Sequence, residues 1–235
     1  DAGYFRNHEE LASRYAASYT NVTASHGTGV AATIFGESDN DIGVTGINHK
    51  SRGVLALAGV NEYISTAEYQ SGSDDVRVRV VNNSWGPMGN GPSTIETGII
   101  YSRPFREIAE QYSDILHVWA SGNNGTYAAT QNGALHLNDE GAEQRLENVM
   151  VVAAFGIDGN LLPYSDFGST VDIAAPSEFK GASLVGNDGS SQYYSGDDSA
   201  YGYCFSGGFN GTSAAAPVVT GTASLIFSLN PALTA

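Results

Sequence analysis

Four apolar stretches of strand length, separated by segments of helical character, constrain the fold of this chain more than any other feature. They are RGVLALAGV (Arg52 to Val60), VRVRVVNNSW (Val76 to Trp85), DILHVWASG (Asp114 to Gly122) and VMVVAAFG (Val149 to Gly156). The first, third and fourth are apolar almost without interruption, the pattern of parallel strands covered on both faces. HGTGVAATIFG, PSTIETGIIYSRPFREIAEQY and the segment from Ser213 onward read as helices, the second interrupted or restarted near Pro104. Strand alternating with helix predicts an α/β fold, a three-layer helix/sheet/helix sandwich around a mostly parallel central sheet. With 235 residues, 41% of them hydrophobic, the chain is long enough to bury such a sheet on both sides. It shows no internal repeat and no clear linker, so one domain over residues 1–235 is expected. Lys180 to Gly208, rich in Gly, Ser, Asp and Tyr, has little periodicity and reads as a long surface excursion.

The formal charge of −15, from 25 acidic and 10 basic residues, argues against nucleic-acid binding, which requires a basic surface to displace counterions. An acidic surface suits solubility or the attraction of basic substrates. The single Cys204 excludes an internal disulfide framework and reads as a small apolar core residue. No apolar run approaches the length of a membrane span, and no signal peptide opens the chain, although a removed export signal would leave no trace.

Two polar side chains open helical segments. His26 begins HGTGVAATIFG, and Ser213 begins SAAAPVVTGTASLIFSL, a stretch small or apolar nearly all round and so expected to be a buried helix. Pro217 fits the first turn of that helix, where its missing N–H costs little. Ser213 could simply cap the helix. It could instead be a nucleophile, which requires a histidine to take its proton and an acid to orient that histidine. Asp1, in the turn signal Asp-Ala-Gly, is the candidate acid.

These segments resemble those of subtilisin-like serine peptidases. DAGYFRNHEEL is similar to their Asp-Ser/Thr-Gly segment, HGTGVAATIFG to their His-Gly-Thr segment and NGTSAAAP to their Gly-Thr-Ser segment, in the chain order Asp, His, Ser. NNSWGP and ASGNNG resemble the two segments that flank the substrate, and the stretch from Val149 to Pro176 resembles the strand and turn before the nucleophile loop. The resemblance implies a serine endopeptidase acting on extended polypeptides through an acyl-enzyme. Ser213 would attack, His26 would move the proton, Asp1 would orient His26, and the Asn123 amide with the Ser213 N–H would hold the oxyanion. Apart from the resemblance, Asn123 reads equally as a turn residue.

Ser84, Trp85 and Gly86 match the segment that pairs with substrate as an added strand, with Ala120 and Gly122 toward the primary pocket; Trp85 could equally be core packing. Two departures stand out: Gly29 replaces the usual second histidine, and Ala214 replaces the methionine common after the nucleophile. Neither position carries acyl-transfer chemistry.

NNSWGP and GTSAAAP are closer in look to kexin-type processing proteases, which cut after basic residues. However, Met88 to Gly91 stand where kexins place an acidic pair. Asp139 and Glu140 could supply charge from the other wall; a broad or aromatic-apolar preference is expected ahead of a basic one.

The resemblance also implies a structural calcium, with Glu10, Asn40 and the carbonyls of Ile42 and Val44 as matching ligands, and no catalytic metal or organic cofactor. An acidic, Asn-rich turn is the plainer reading of the same stretch. It implies further a trimmed, monomeric catalytic domain within a longer, exported chain, in which a free ammonium on Asp1 would compete with His26 for the carboxylate. A binding scaffold lacking activity, and an acyl transferase or macrocyclase using the same triad, are the alternative functions.

Overall fold

The computed structural model describes residues 1–20, 22–41, 43–70, 77–86, 95–127, 145–179, 181–183, 202–203 and 209–235. Its centre is a four-stranded parallel sheet in the order β3 (Val80–Asn83), β4 (Leu116–Ala120), β5 (Val149–Phe155) and β6 (Ile173–Pro176). Beside it, β1 (Tyr15–Tyr19) pairs in parallel with β2 (Gly53–Ala56). The helices are α1 (Ser25–Phe35), α2 (Val60–Ala67), α3 (Ile95–Gln111) and α4 (Thr212–Leu229).

Strand β4, LHVWA, shows why an uninterrupted apolar run was needed, since all of its residues are buried. Side chains alternate across the sheet. Leu116, Val118 and Ala120 join Val152, Ala154 and Ala175 against Ala215, Ala216 and Val219 of α4. On the opposite face Trp119 joins Val81, Phe105, Ile108 and Tyr63, from β3, α3 and α2. The expected sandwich is therefore present, with α4 on one face and α2 and α3 on the other. Small residues let α4 lie close to the strands: Ala214, Ala215 and Ala216 are fully buried.

Several local expectations are corrected. The run expected as one strand to Val60 ends at Ala56, and α2 starts at Val60. Helix α3 continues through Pro104. Pro217 lies beyond the first turn of α4, because the helix starts at Thr212 with Gly211 as its N-cap. The stretch after Lys180 begins inside the protein: Ala182 is buried beside Leu55 and Phe35, and β7 (Ala182–Ser183) pairs antiparallel with β8 (Gly202–Tyr203). Most of the remaining excursion, with Cys204, lies outside the described residues. Contrary to the expectation about apolar runs, α4 is by length and composition long and apolar enough to cross a membrane. Half of it is buried within this protein, where its small residues pack on the sheet.

His117 also points into the α2/α3 face. It is fully buried, its Nδ1 pairs with the Tyr63 hydroxyl, and burial pushes its pKa from 6.5 to about 4. The unfolded chain therefore takes up this proton first as pH falls, and stability is lost between roughly pH 6.5 and 4 at about 1.4 kcal/mol per pH unit. Urea midpoints measured across that range should fall with acidification, and His117→Gln should flatten the slope by about one proton. An unchanged slope in the variant would assign the acid sensitivity elsewhere.

Candidate active site

The candidate residues gather where the parallel strands end and two helices begin, the usual location of sites in open α/β sheets. Ser84 follows β3 and Asn123 follows β4, while His26 and Ser213 are the second residues of α1 and α4. Val30 of α1 packs with Phe209 and Ala214, which joins the two helix starts. The His26 ring meets the Phe209 ring edge-on at 5.9 Å between centroids.

Asp1 and His26 form a direct pair. Both carboxylate oxygens lie 3.0 Å from His26 Nδ1. A carboxylate only accepts, so Nδ1 carries the proton and the neutral ring presents the Nε2 lone pair. Asp1 is buried, whereas the His26 side chain keeps 39% of its surface exposed, enough for one edge of the base to remain reachable. Burial pushes the His26 pKa from 6.5 to about 4, which leaves the ring neutral at pH 7.

The α-nitrogen of Asp1 has partners other than its own carboxylate. That group donates to the Ala56 carbonyl at 3.0 Å and the Tyr4 hydroxyl at 3.2 Å, while the Asp1 carbonyl accepts from Ala58 N–H at 2.7 Å. The pair also explains a glycine. A Cβ on Gly27 would stand 2.1 Å from the Gly3 carbonyl oxygen and 3.1 Å from Asp1 Cβ, so any larger residue after His26 would push the acid segment away.

At the start of α4, Gly211 has φ of +82°, a conformation other residues adopt only with strain, and the turn is held from outside the helix. Tyr164 OH accepts from Gly211 N–H at 3.2 Å and Ser177 Oγ donates to the Gly211 carbonyl at 3.0 Å. The N-cap is Gly211, which has no side chain, and Ser213 lies inside the helix, so Ser213 is not its cap.

Asn123 fixes the next residue. Its side-chain oxygen accepts from Thr212 N–H at 2.8 Å and from Thr212 Oγ1 at 3.1 Å. Because a backbone N–H can only donate, this contact identifies the amide oxygen and turns the NH₂ away from Thr212. Thr212 Oγ1 in turn accepts from Gly122 N–H at 3.1 Å, tying the end of β4 to the start of α4.

Ser213 is half-buried, and its N–H lies in the first helical turn, where no intrahelical acceptor exists. Its hydroxyl donates to the Ser84 carbonyl at 3.3 Å, and Ser84 Oγ donates back to the Ser213 carbonyl at 2.9 Å. Asp1 and His26 are thus assembled on one another, while Ser213 is assembled on Ser84.

The remaining expected positions divide. Trp85 is partly buried and packs against the core: its ring meets Phe105 and Trp119 at 5.0 and 5.1 Å, and its Nε1 donates to Asn83 Oδ1 at 3.2 Å. Ala120 is buried under α4, and Gly122 has φ of +113°. Gly86 closes the described part of this strand end. Met88 to Gly91, Asp139 and Glu140 lie outside the described residues, as does Ile42. Of the positions offered to calcium, Glu10 is buried and accepts the Val44 N–H at 2.7 Å; Asn40 and Val44 are described. Among the described residues no three His, Cys, Asp or Glu side chains converge as a metal cluster.

Thr212 is a structural member of the site that sequence reasoning passed over, although it stands in the motif already singled out. Thr28 is another. Its hydroxyl accepts from Phe5 N–H at 2.8 Å and donates to the Ala24 carbonyl at 2.7 Å, bracing the Asp1 segment against α1.

A match to the subtilase family spans residues 1–235. The chain belongs to that family. It is 29% identical over 96% of its length to alkaline elastase YaB of Bacillus sp. (strain YaB), and spans 52% of that protein. Among solved structures, a cold adapted subtilisin-like serine proteinase matches with a TM-score of 0.66 at 22% identity, covering all of this chain and 75% of the other. The prenylagaramide maturation protease PagA matches with a TM-score of 0.67 at 20% identity, over 98% of this chain and 74% of that one. The structural likenesses establish a subtilisin-like α/β fold for this subtilase.

Proposed function

We propose that this subtilase domain is a serine endopeptidase that cleaves extended polypeptides through an acyl-enzyme on Ser213. The observation that carries the reading is the oriented Asp1–His26 pair, at the same end of the fold as a serine whose neighbouring Asn123 amide is fixed oxygen-inward.

The Ser213 hydroxyl has one proton to donate. It rests on the Ser84 carbonyl, so catalysis requires it to turn to His26 Nε2. A peptide N–H that docks on the Ser84 carbonyl would displace the hydroxyl and favour that turn. His26 then takes the proton as Ser213 Oγ bonds to the scissile carbonyl carbon, and Asp1 stabilises the imidazolium. The Asn123 NH₂ and the Ser213 N–H receive the negative oxygen. His26 returns the proton to the leaving amine, and water, activated by the same ring, releases the acyl group.

A fluorophosphonate probe should label Ser213, and His26→Ala should abolish labelling, both read by mass mapping. Failure of the folded protein to react would favour the binding-scaffold reading. Incubation with a synthetic peptide, followed by mass analysis, separates hydrolysed from cyclised product and so distinguishes peptidase from acyl transferase.

A further inference from the structure

We propose that Ser84 is a positioning residue for the nucleophile, its hydroxyl giving the Ser213 carbonyl the hydrogen bond that Pro217 cannot give. The inference rests on the proposed role of Ser213. In an α-helix the N–H of residue 217 would close onto the carbonyl of residue 213, but residue 217 is proline and has no N–H. Ser84 Oγ lies 2.9 Å from that oxygen. The helix is thereby released from holding the carbonyl of its own nucleophile, and the sheet holds it instead.

The donor is itself fixed. Asn82 Nδ2 donates to Ser84 Oγ at 2.9 Å, which directs the Ser84 proton toward Ser213. Asn82 Oδ1 accepts from Thr220 Oγ1, also at 2.9 Å, two turns along α4. The end of β3 and the residue after it therefore grip α4 at Ser213 and again at Thr220 through one connected set of side chains. Ser84 is 2% exposed, so water is a poor replacement for its hydroxyl. Its carbonyl also receives the resting Ser213 hydroxyl, and a single residue thus contacts both the backbone and the side chain of the nucleophile.

The role assigned to the Ser84 side chain differs from strand pairing with substrate, which uses main-chain groups. Loss of the hydroxyl should consequently reduce kcat rather than raise KM. Ser84→Ala should slow both fluorophosphonate labelling and kcat by roughly 10–100-fold, the scale expected when a reacting group is misplaced by about 1 Å. Its KM should stay within about twofold of the parent value, because substrate contacts are retained.

The deciding variant is Ser84→Ala combined with Pro217→Ala, in which residue 217 regains an N–H able to reach the Ser213 carbonyl. The double variant should recover most of the lost labelling rate and should have a higher urea midpoint than Ser84→Ala alone. Additive losses in either measurement would overturn the proposal, as would parental labelling by Ser84→Ala. If Ser84→Ala fails to fold, Ser84→Cys, with a weaker donor, should give a graded loss that Pro217→Ala again repairs. A parent protein that does not label refutes the peptidase reading; the stability cycle still decides whether Ser84 replaces the missing helix bond.

Discussion

Ser213→Ala is expected to remove peptide hydrolysis almost completely, by about 10⁶-fold in kcat, a magnitude measured for the corresponding deletion in subtilisin. The unfolding midpoint should scarcely move. Among the described residues the side-chain hydroxyl makes one long hydrogen bond, 3.3 Å to the Ser84 carbonyl, and the bonds that shape the helix start come from Asn123, Tyr164 and Ser177 instead. Alanine is also a better helix former than serine at this position. Activity and stability should therefore separate cleanly in this variant. Turnover comparable to the parent, measured on a peptide with far-UV circular dichroism as the folding control, would remove Ser213 from the chemistry. A loss of activity accompanied by a large fall in midpoint would instead make the serine structural.

The fold was legible wherever burial acts on both sides of a strand. β4 and β5 must be apolar along their length because α4 covers one face and α2 and α3 the other, and their runs stood out accordingly. β1 was missed for the converse reason. YAASY mixes two tyrosines with small residues, is half-exposed and is paired on a separate two-stranded sheet, so its sequence carries little period. α2 was hidden because it begins shortly after β2, at Val60, an apolar residue that extends the strand pattern by eye.

The site was legible residue by residue but not bond by bond. Asp1, His26, Asn123 and Ser213 stand in recognisable segments, whereas the contacts that orient them cross long sequence separations. Asn123 to Thr212 and Ser84 to Ser213 are examples that no local pattern encodes. Pro217 illustrates the difference well. Its spacing from Ser213 was visible in the sequence, but assigning it to a first turn concealed that the carbonyl it leaves free belongs to Ser213. The observed start of α4 at Thr212 puts Pro217 past the first turn, where its N–H would have had an intrahelical acceptor.

Asn123 permits the more discriminating experiment, because its amide has two separable functions. The oxygen holds Thr212 N–H and Oγ1, and so sets the start of α4; the NH₂ is the proposed donor to the oxyanion. Asn123→Ala removes both and cannot tell them apart. Asn123→Asp keeps an oxygen acceptor for Thr212 at nearly the same volume while deleting the donor. It is expected to lower kcat by about 10²–10³-fold, the cost of losing the equivalent amide in subtilisin. KM and the unfolding midpoint should stay close to the parent values, since the ground-state substrate and Thr212 both keep their partners. The introduced carboxylate would also repel the developing oxyanion, which acts in the same direction. If Asn123→Asp instead retained near-parental kcat, the amide would be an anchor for Thr212 alone, and the oxyanion would have to be held by other groups at the α4 start.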